Sequence, residues 1–121
     1  MGDSSVKGSA QVSIHKTRIM YIERKEESLN GPARIGRVSF SKSGRSVSYR
    51  GQTFLRDKRG YKWNHFDVET HARYWISGPR KDGFDRLYPQ SRQPVEIDDG
   101  VRVEYWTKIR GMPSHSHRST C

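Results

Sequence analysis

Apolar and polar residues alternate with a period of two through much of the middle of the chain, the spacing of strands that bury one face. "TRIMYIE" (17–23) predicts a first strand, and "RKEESLNGP" (24–32) a polar connection that turns at Asn30-Gly31-Pro32. "ARIGRVSF" (33–40) resumes the alternation through Ile35, Gly36, Val38 and Phe40. "SKSGR" closes a hairpin, and "SVSYR" (46–50) returns with Val47 and Tyr49 on one face. "GQTFLR" (51–56) is a short strand after a turn at Gly51, and "DKRG" (57–60) turns again.

In "YKWNHFDVETHARYWISG" (61–78) Tyr61, Trp63 and His65 share one phase, while Phe66 and Val68 fall on the other. That predicts either a bulge near His65–Phe66 or a strand covered in part on both faces. "ETHA" makes a turn. In "RYWISG" Tyr74 and Ile76 then face one way and Trp75 the other. "PRKDG" (79–83) is a loop, followed by Phe84, Leu87 and Tyr88. The last segment, "PVEIDDGVRVEYWTKIRG", fits two patterns. As a strand, Val101, Val103 and Tyr105 alternate. As a helix, Asp98 or Asp99 caps the start, Val101, Tyr105 and Ile109 form a stripe beside Trp106, and Gly111 ends it near Lys108 and Arg110. The stripe favours the helix; Gly100 and the β-branched valines favour the strand.

The fold class that follows is mainly β: a small, strongly bent antiparallel sheet or partly open SH3-like barrel with one C-terminal helix, or alternatively an α+β roll with the helix on an open sheet. Residues 1–16 read as a disordered extension, 17–110 as a single β-rich domain and 111–121 as a disordered tail.

The blocks "GPARIG" (31–36), "YWISG" (74–78), "KDG" (81–83) with "DRLY" (85–88), and "EYW" (104–106) resemble a family of small, mostly bacterial, uncharacterised proteins. The likeness spans about residues 17–110 and implies that the core is a real domain. It implies no activity, because the family has none established. His71 stands where that pattern more usually has glycine, in an "ETG" turn.

Composition narrows the function classes. A chain of 121 residues suits one domain, and a hydrophobic fraction of 31% leaves a modest core carried by six Tyr, four Phe and three Trp. Twenty-three Lys and Arg against thirteen Asp and Glu give a formal charge of +10, which draws nucleic acid, anionic membranes or acidic proteins. The charge is scattered; its longest cluster is "RDKRGYK" (56–62). The single cysteine, Cys121, excludes an intramolecular disulfide and a thiolate metal site. No apolar run approaches the roughly 20 residues of a membrane span. The N-terminal residues lack a signal-type apolar segment, and Val6 breaks the myristoylation pattern, so a cytoplasmic location is expected.

Catalytic chemistry finds little footing. His65, Asp67, Glu69 and His71 are possible metal ligands, but a tight turn at 68–71 pairs His65 with Tyr74 and Asp67 with Ala72. That holds the two histidines about 10 Å apart along the ladder. "HSH" (115–117) is at best a weak metal trap. Asp82 and Asp85 with Arg80, Lys81 and Arg86 could hold a phosphate, yet "PRKDG" is a turn signature, and Asp85–Arg86 suits an ion-paired loop anchor. No nucleophile elbow, Walker loop or dinucleotide fingerprint exists, and no cofactor is expected.

Binding is the better expectation. Tyr61, Lys62 and Trp63 interleave with Arg73, Tyr74 and Trp75 as in surfaces where rings stack bases and cations hold phosphates. The scarcity of aliphatics draws Trp63 and Trp106 into the core ahead of Trp75, which makes Trp75 the candidate platform. Arg50, Arg56, Lys58 and Arg59 extend a basic rim, and Arg80, Lys81 and Arg86 are further candidate contacts. The alternatives are a protein-interaction module, gripping a basic or proline-rich partner between Trp75, Tyr88 and the acidic Glu96, Asp98 and Asp99, or a homodimer with the last element at its seam. A small hydrolase is the least supported reading.

Overall fold

The structure, a computed structural model, describes residues 16–25, 31–60, 62–86 and 93–121. Asn30, Tyr61, Leu87 and Tyr88, and the extension expected over 1–16 apart from Lys16, lie outside these residues.

Among the described residues the strands are β1 (Lys16–Lys25), β2 (Ala33–Phe40), β3 (Ser46–Tyr49), β4 (Gln52–Arg56), β5 (His65–Asp67), β6 (Arg73–Ser77) and β7 (Val95–Ile97). The first six pair antiparallel in chain order, and β6 returns to β1, so the sheet closes on itself as a six-stranded SH3-like barrel. Closure removes the free edges that an open sheet would expose. β7 lies outside the ring, parallel to β2 along Ala33–Ile35.

The closing element is β1. Its "IMYI" run is apolar without alternation because both faces are covered. Met20 and Ile22 point into the barrel with Val38, Val47, Tyr49, Phe54, Tyr74 and Ile76. Ile19 and Tyr21 point outward against a second core made with Ala33, Ile35, Val95, Ile97, Val101, Tyr105 and Trp106. A strand buried on both faces loses its period-two signature.

A helical segment, α1 (99–109), forms the lid of that outer core. It opens as a 3-10 turn (Asp99–Val101), passes through one α turn (Arg102–Glu104) and ends as a π-helical turn (Tyr105–Ile109). The helical alternative is therefore the one adopted, with Val101, Tyr105 and Trp106 buried and Ile109 packed beside them. Gly111 ends it at φ +64°. The expected side-chain cap does not form. Asp98 instead accepts from Arg34 Nε (2.9 Å) and the Tyr49 hydroxyl (2.6 Å), because a strand arginine and a barrel tyrosine already reach it. The Tyr49 hydroxyl is pushed up to about 12 by burial and by this carboxyl.

Residues 111–121, expected as a disordered tail, fold back over the outer core. Pro113–His115 form a 3-10 turn, and Ser119 and Cys121 bond β7 on its outer edge: Ile97 N–H to Ser119 O at 2.7 Å and Cys121 N–H to Val95 O at 3.0 Å. The Trp106 indole donates to Arg118 O at 3.0 Å. These bonds are made mostly by backbone, which a polar composition does not reveal.

Candidate functional site

The basic cluster "RDKRGYK" sits in the loop between β4 and β5, at one mouth of the barrel. Asp57 organises it. Its carboxyl accepts from the Arg59 backbone N–H (3.0 Å), Arg59 Nε (2.9 Å) and the Trp63 indole (3.1 Å). The Arg59 guanidinium, the Arg59 backbone N–H and the Trp63 N–H together hold Asp57 well below the usual carboxylate range. The expected core position of Trp63 is not adopted. β5 is only three residues long, so the inward phase begins at His65, and Asp57 draws the Trp63 indole to the outside. There it is half-buried, with the Arg73 guanidinium 4.2 Å from its centroid. Gly60 backs it so closely that a Cβ there would lie 2.4 Å from Cε2. The indole is thus a support for an exposed Arg73 and not a bare stacking platform.

Beside this loop the barrel mouth opens as a cleft of about 320 Å³. Phe40 and Ile76 supply apolar wall, Arg56 and Lys58 stand at its rim, and Asn64 and His65 line its inner side. Asn64 ties the mouth together. Its side-chain amide pairs with the Ile76 backbone in both directions, accepting from N–H at 2.8 Å and donating to C=O at 2.8 Å. His65 Nδ1 lies 2.8 Å from Asn64 Oδ1. Burial, and then the nearby Arg56 charge, lower His65 to about 4, so the imidazole is neutral at pH 7.

The remaining candidates are scattered. Trp75, on the outward phase of β6, is half-buried and packs against the outer core, so it is not the free platform that its phase suggests. Lys62 is half-buried on the basic loop. Arg50 lies on the β3–β4 turn, 6.0 Å from the Tyr49 ring centroid and 3.9 Å from Asp98. Arg80 pairs with Asp82 at 2.7 Å within the 79–85 loop, whose backbone Asp85 also holds through Arg80 N–H at 2.6 Å. Arg86 departs from expectation most. Its side chain is buried, 3.2 Å from the fully buried Glu23, which also takes Lys25 (3.0 Å) and the Tyr21 hydroxyl (2.5 Å). An arginine spent on an interior carboxyl is not a surface contact.

Lys81 belongs to a different groove, of about 420 Å³, with Arg18 and Arg37 from β1 and β2 and Lys108 from α1. Arg37 is taken by Glu104 at 2.5 Å. Arg18, Arg37 and Lys108 are far apart in sequence, and only the pairing of β1 with β2 and the docking of α1 bring them together. Sequence reasoning had no signal for this groove. It also missed the Asn64–Ile76 clamp, although an asparagine next to a half-buried histidine was visible.

The acidic stretch expected to grip a basic partner is engaged internally: Arg34 takes Glu96 (2.7 Å) and Asp98 (2.8 Å), and Arg102 takes Asp99. Among the described residues no three His, Cys, Asp or Glu side chains converge as metal ligands. His65 and Asp67 face the barrel interior, whereas Glu69 and His71 lie exposed on the turn. Asp67 serves that turn, its carboxyl accepting from Glu69 N–H (2.7 Å), Thr70 N–H (3.0 Å) and Gln52 Nε2 (2.8 Å). His115, of "HSH", sets its ring 5.2 Å from that of Trp106. Among the described residues no helix is long and apolar enough to cross a membrane. No protein-family model matches the chain, nor does any curated protein or solved structure.

Proposed function

We propose that this protein is a binding module for single-stranded nucleic acid, which it engages through the β4–β5 loop and the adjoining barrel mouth. The observation that carries this reading is the placement of Arg56 and Lys58 at the rim of the mouth cleft. Among the described residues neither side chain makes an ion pair. Arg59 is neutralised by Asp57, so the loop keeps its shape while the rim keeps its charge. Arg73, raised on the Trp63 indole, adds an exposed guanidinium plane on which a base stacks. A cleft of about 320 Å³ is small against a duplex and favours a single strand with its bases splayed.

Titrating a fluorescently labelled mixed-sequence single strand at two salt concentrations tests this. Affinity is expected to fall as salt rises, and Arg56→Ala with Lys58→Ala to flatten the log–log slope by about 1.4, the contribution of two phosphate contacts on a single strand. Binding that is absent, or indifferent to salt, sinks the reading.

A further inference from the structure

We infer that the barrel mouth prefers RNA to DNA, because His65 presents a bare ring nitrogen that accepts a hydrogen bond from a ribose 2′-hydroxyl. This rests on the nucleic-acid reading above and assigns that site its substrate class.

The argument begins with an amide whose orientation is fixed. Backbone N–H donates and backbone C=O accepts, without ambiguity. Ile76 N–H lies 2.8 Å from Asn64 Oδ1, and Ile76 O lies 2.8 Å from Asn64 Nδ2. The oxygen of the Asn64 side chain is therefore the atom that faces His65 Nδ1 at 2.8 Å. An oxygen in that place cannot donate, so Nδ1 must carry the ring proton. In a neutral imidazole the other nitrogen, Nε2, then holds a lone pair and no hydrogen. Among the described residues no group donates to Nε2. A neutral ring is also what the site imposes, since burial and the Arg56 charge both oppose a second proton.

The mouth thus combines two cations at its rim, Arg56 and Lys58, with one acceptor on its inner wall. Asp57, the other charged group there, is occupied by Arg59 and Trp63. Arg56 and His65 are direct cross-strand partners, so a ligand that fits carries an anionic oxygen and, close to it, a hydroxyl or amine donor. Every ribonucleotide meets this condition through its phosphate and its 2′-hydroxyl. A deoxynucleotide has the phosphate and lacks the donor. Base amines also donate, but they stand far from the backbone phosphates, so an acceptor beside phosphate-binding cations matches the sugar better than the base. An acceptor that finds its donor in RNA and none in DNA discriminates between them. Proton abstraction is a different matter: a ring this hard to protonate is a weak base, so the geometry selects RNA and does not cleave it.

The test compares three labelled 20-mers of one mixed sequence on the full-length protein: RNA, DNA, and RNA with 2′-fluoro sugars, which keep the ribose pucker and lose the donor. RNA is expected to bind about 5- to 10-fold tighter than DNA, the worth of one hydrogen bond. The 2′-fluoro strand is expected to bind as DNA does. In His65→Phe the RNA advantage over DNA is expected to vanish; the 2′-fluoro comparison needs no variant and stands even where that substitution unfolds the barrel. Equal binding of RNA and DNA by the native protein, or 2′-fluoro RNA binding as tightly as RNA, overturns the inference and leaves the nucleic-acid reading intact. Salt-independent or absent binding of all three removes both.

Discussion

His71 occupies the left-handed region at φ +65°, where its Cβ is strained and glycine is at ease. That is the physical content of the glycine expected in its turn by resemblance. The ring is exposed, and its main contact is an edge approach to Phe66 at 6.3 Å between centroids. Relief of roughly 1–2 kcal/mol of backbone strain is offset in part by the added freedom of glycine in the unfolded chain. His71→Gly is expected to stabilise the fold by about 0.5 kcal/mol. Thermal melts check this; a lowered midpoint would show that the Phe66 contact outweighs the strain. Glu23 poses the opposite case. It is fully buried, with Arg86, Lys25, Tyr21 and the Gly31 N–H (3.1 Å) around it. Breaking a buried pair leaves charge without compensation, so Arg86→Met is expected to cost about 3 kcal/mol in urea unfolding. Glu23→Gln added to it should recover part of that loss; a single-variant cost below about 1 kcal/mol would show that Lys25 alone suffices.

At the scale of elements, the β3–β4 hairpin is closed by Arg50 and Gly51, with φ +51° and +82°, between the paired Tyr49 and Gln52. Two successive positive φ values define the tight hairpin turn in which Asn-Gly is favoured. Arg50→Asn is expected to raise stability by about 0.5–1 kcal/mol, since asparagine tolerates this region better and the arginine's contacts are distant. A fall would mean that the arginine's approach to Asp98 matters more than turn chemistry. Hairpins of this kind were the legible part of the chain. The bounds of β2 and the pairing of His65 with Tyr74 follow from alternation and a short turn. β7 escaped because three residues show no period, and the ordered C-terminal segment because its ties run through backbone. Trp63 departs from the core for a local reason: the period of two does not run through Lys62–Asn64, which is loop, and one indole–carboxyl bond decides where the ring goes. The rim cations Arg56 and Lys58 were legible as a cluster, but the cleft beside them was not, since Phe40 and Ile76 reach it from other hairpins.

For the whole molecule, the barrel mouth is where stability and binding meet. His65 titrates at about 4 in the folded protein and near its ordinary 6.5 in the unfolded chain. The unfolded state therefore takes up a proton first as pH falls. The sign follows: the His65 contribution to stability is full above about pH 6.5 and declines as pH drops towards 4, by about 3 kcal/mol. Asp57, Asp67 and Asp82 are all held below their usual range, so their losses lie at lower pH and do not enter this window. His115 is lowered too, but it is common to both proteins when the native chain is compared with His65→Gln. The difference between them should grow steadily from pH 6.5 to 4 in favour of the variant. An anion at the rim would act against that decline. By screening Arg56 it lets the imidazole protonate at higher pH, so inorganic phosphate, which carries no 2′-hydroxyl, should narrow the gap between native protein and variant below pH 6. Parallel unfolding curves at every pH would show that His65 titrates alike in the folded and unfolded chain, and that neither burial nor the Arg56 charge holds its ring neutral.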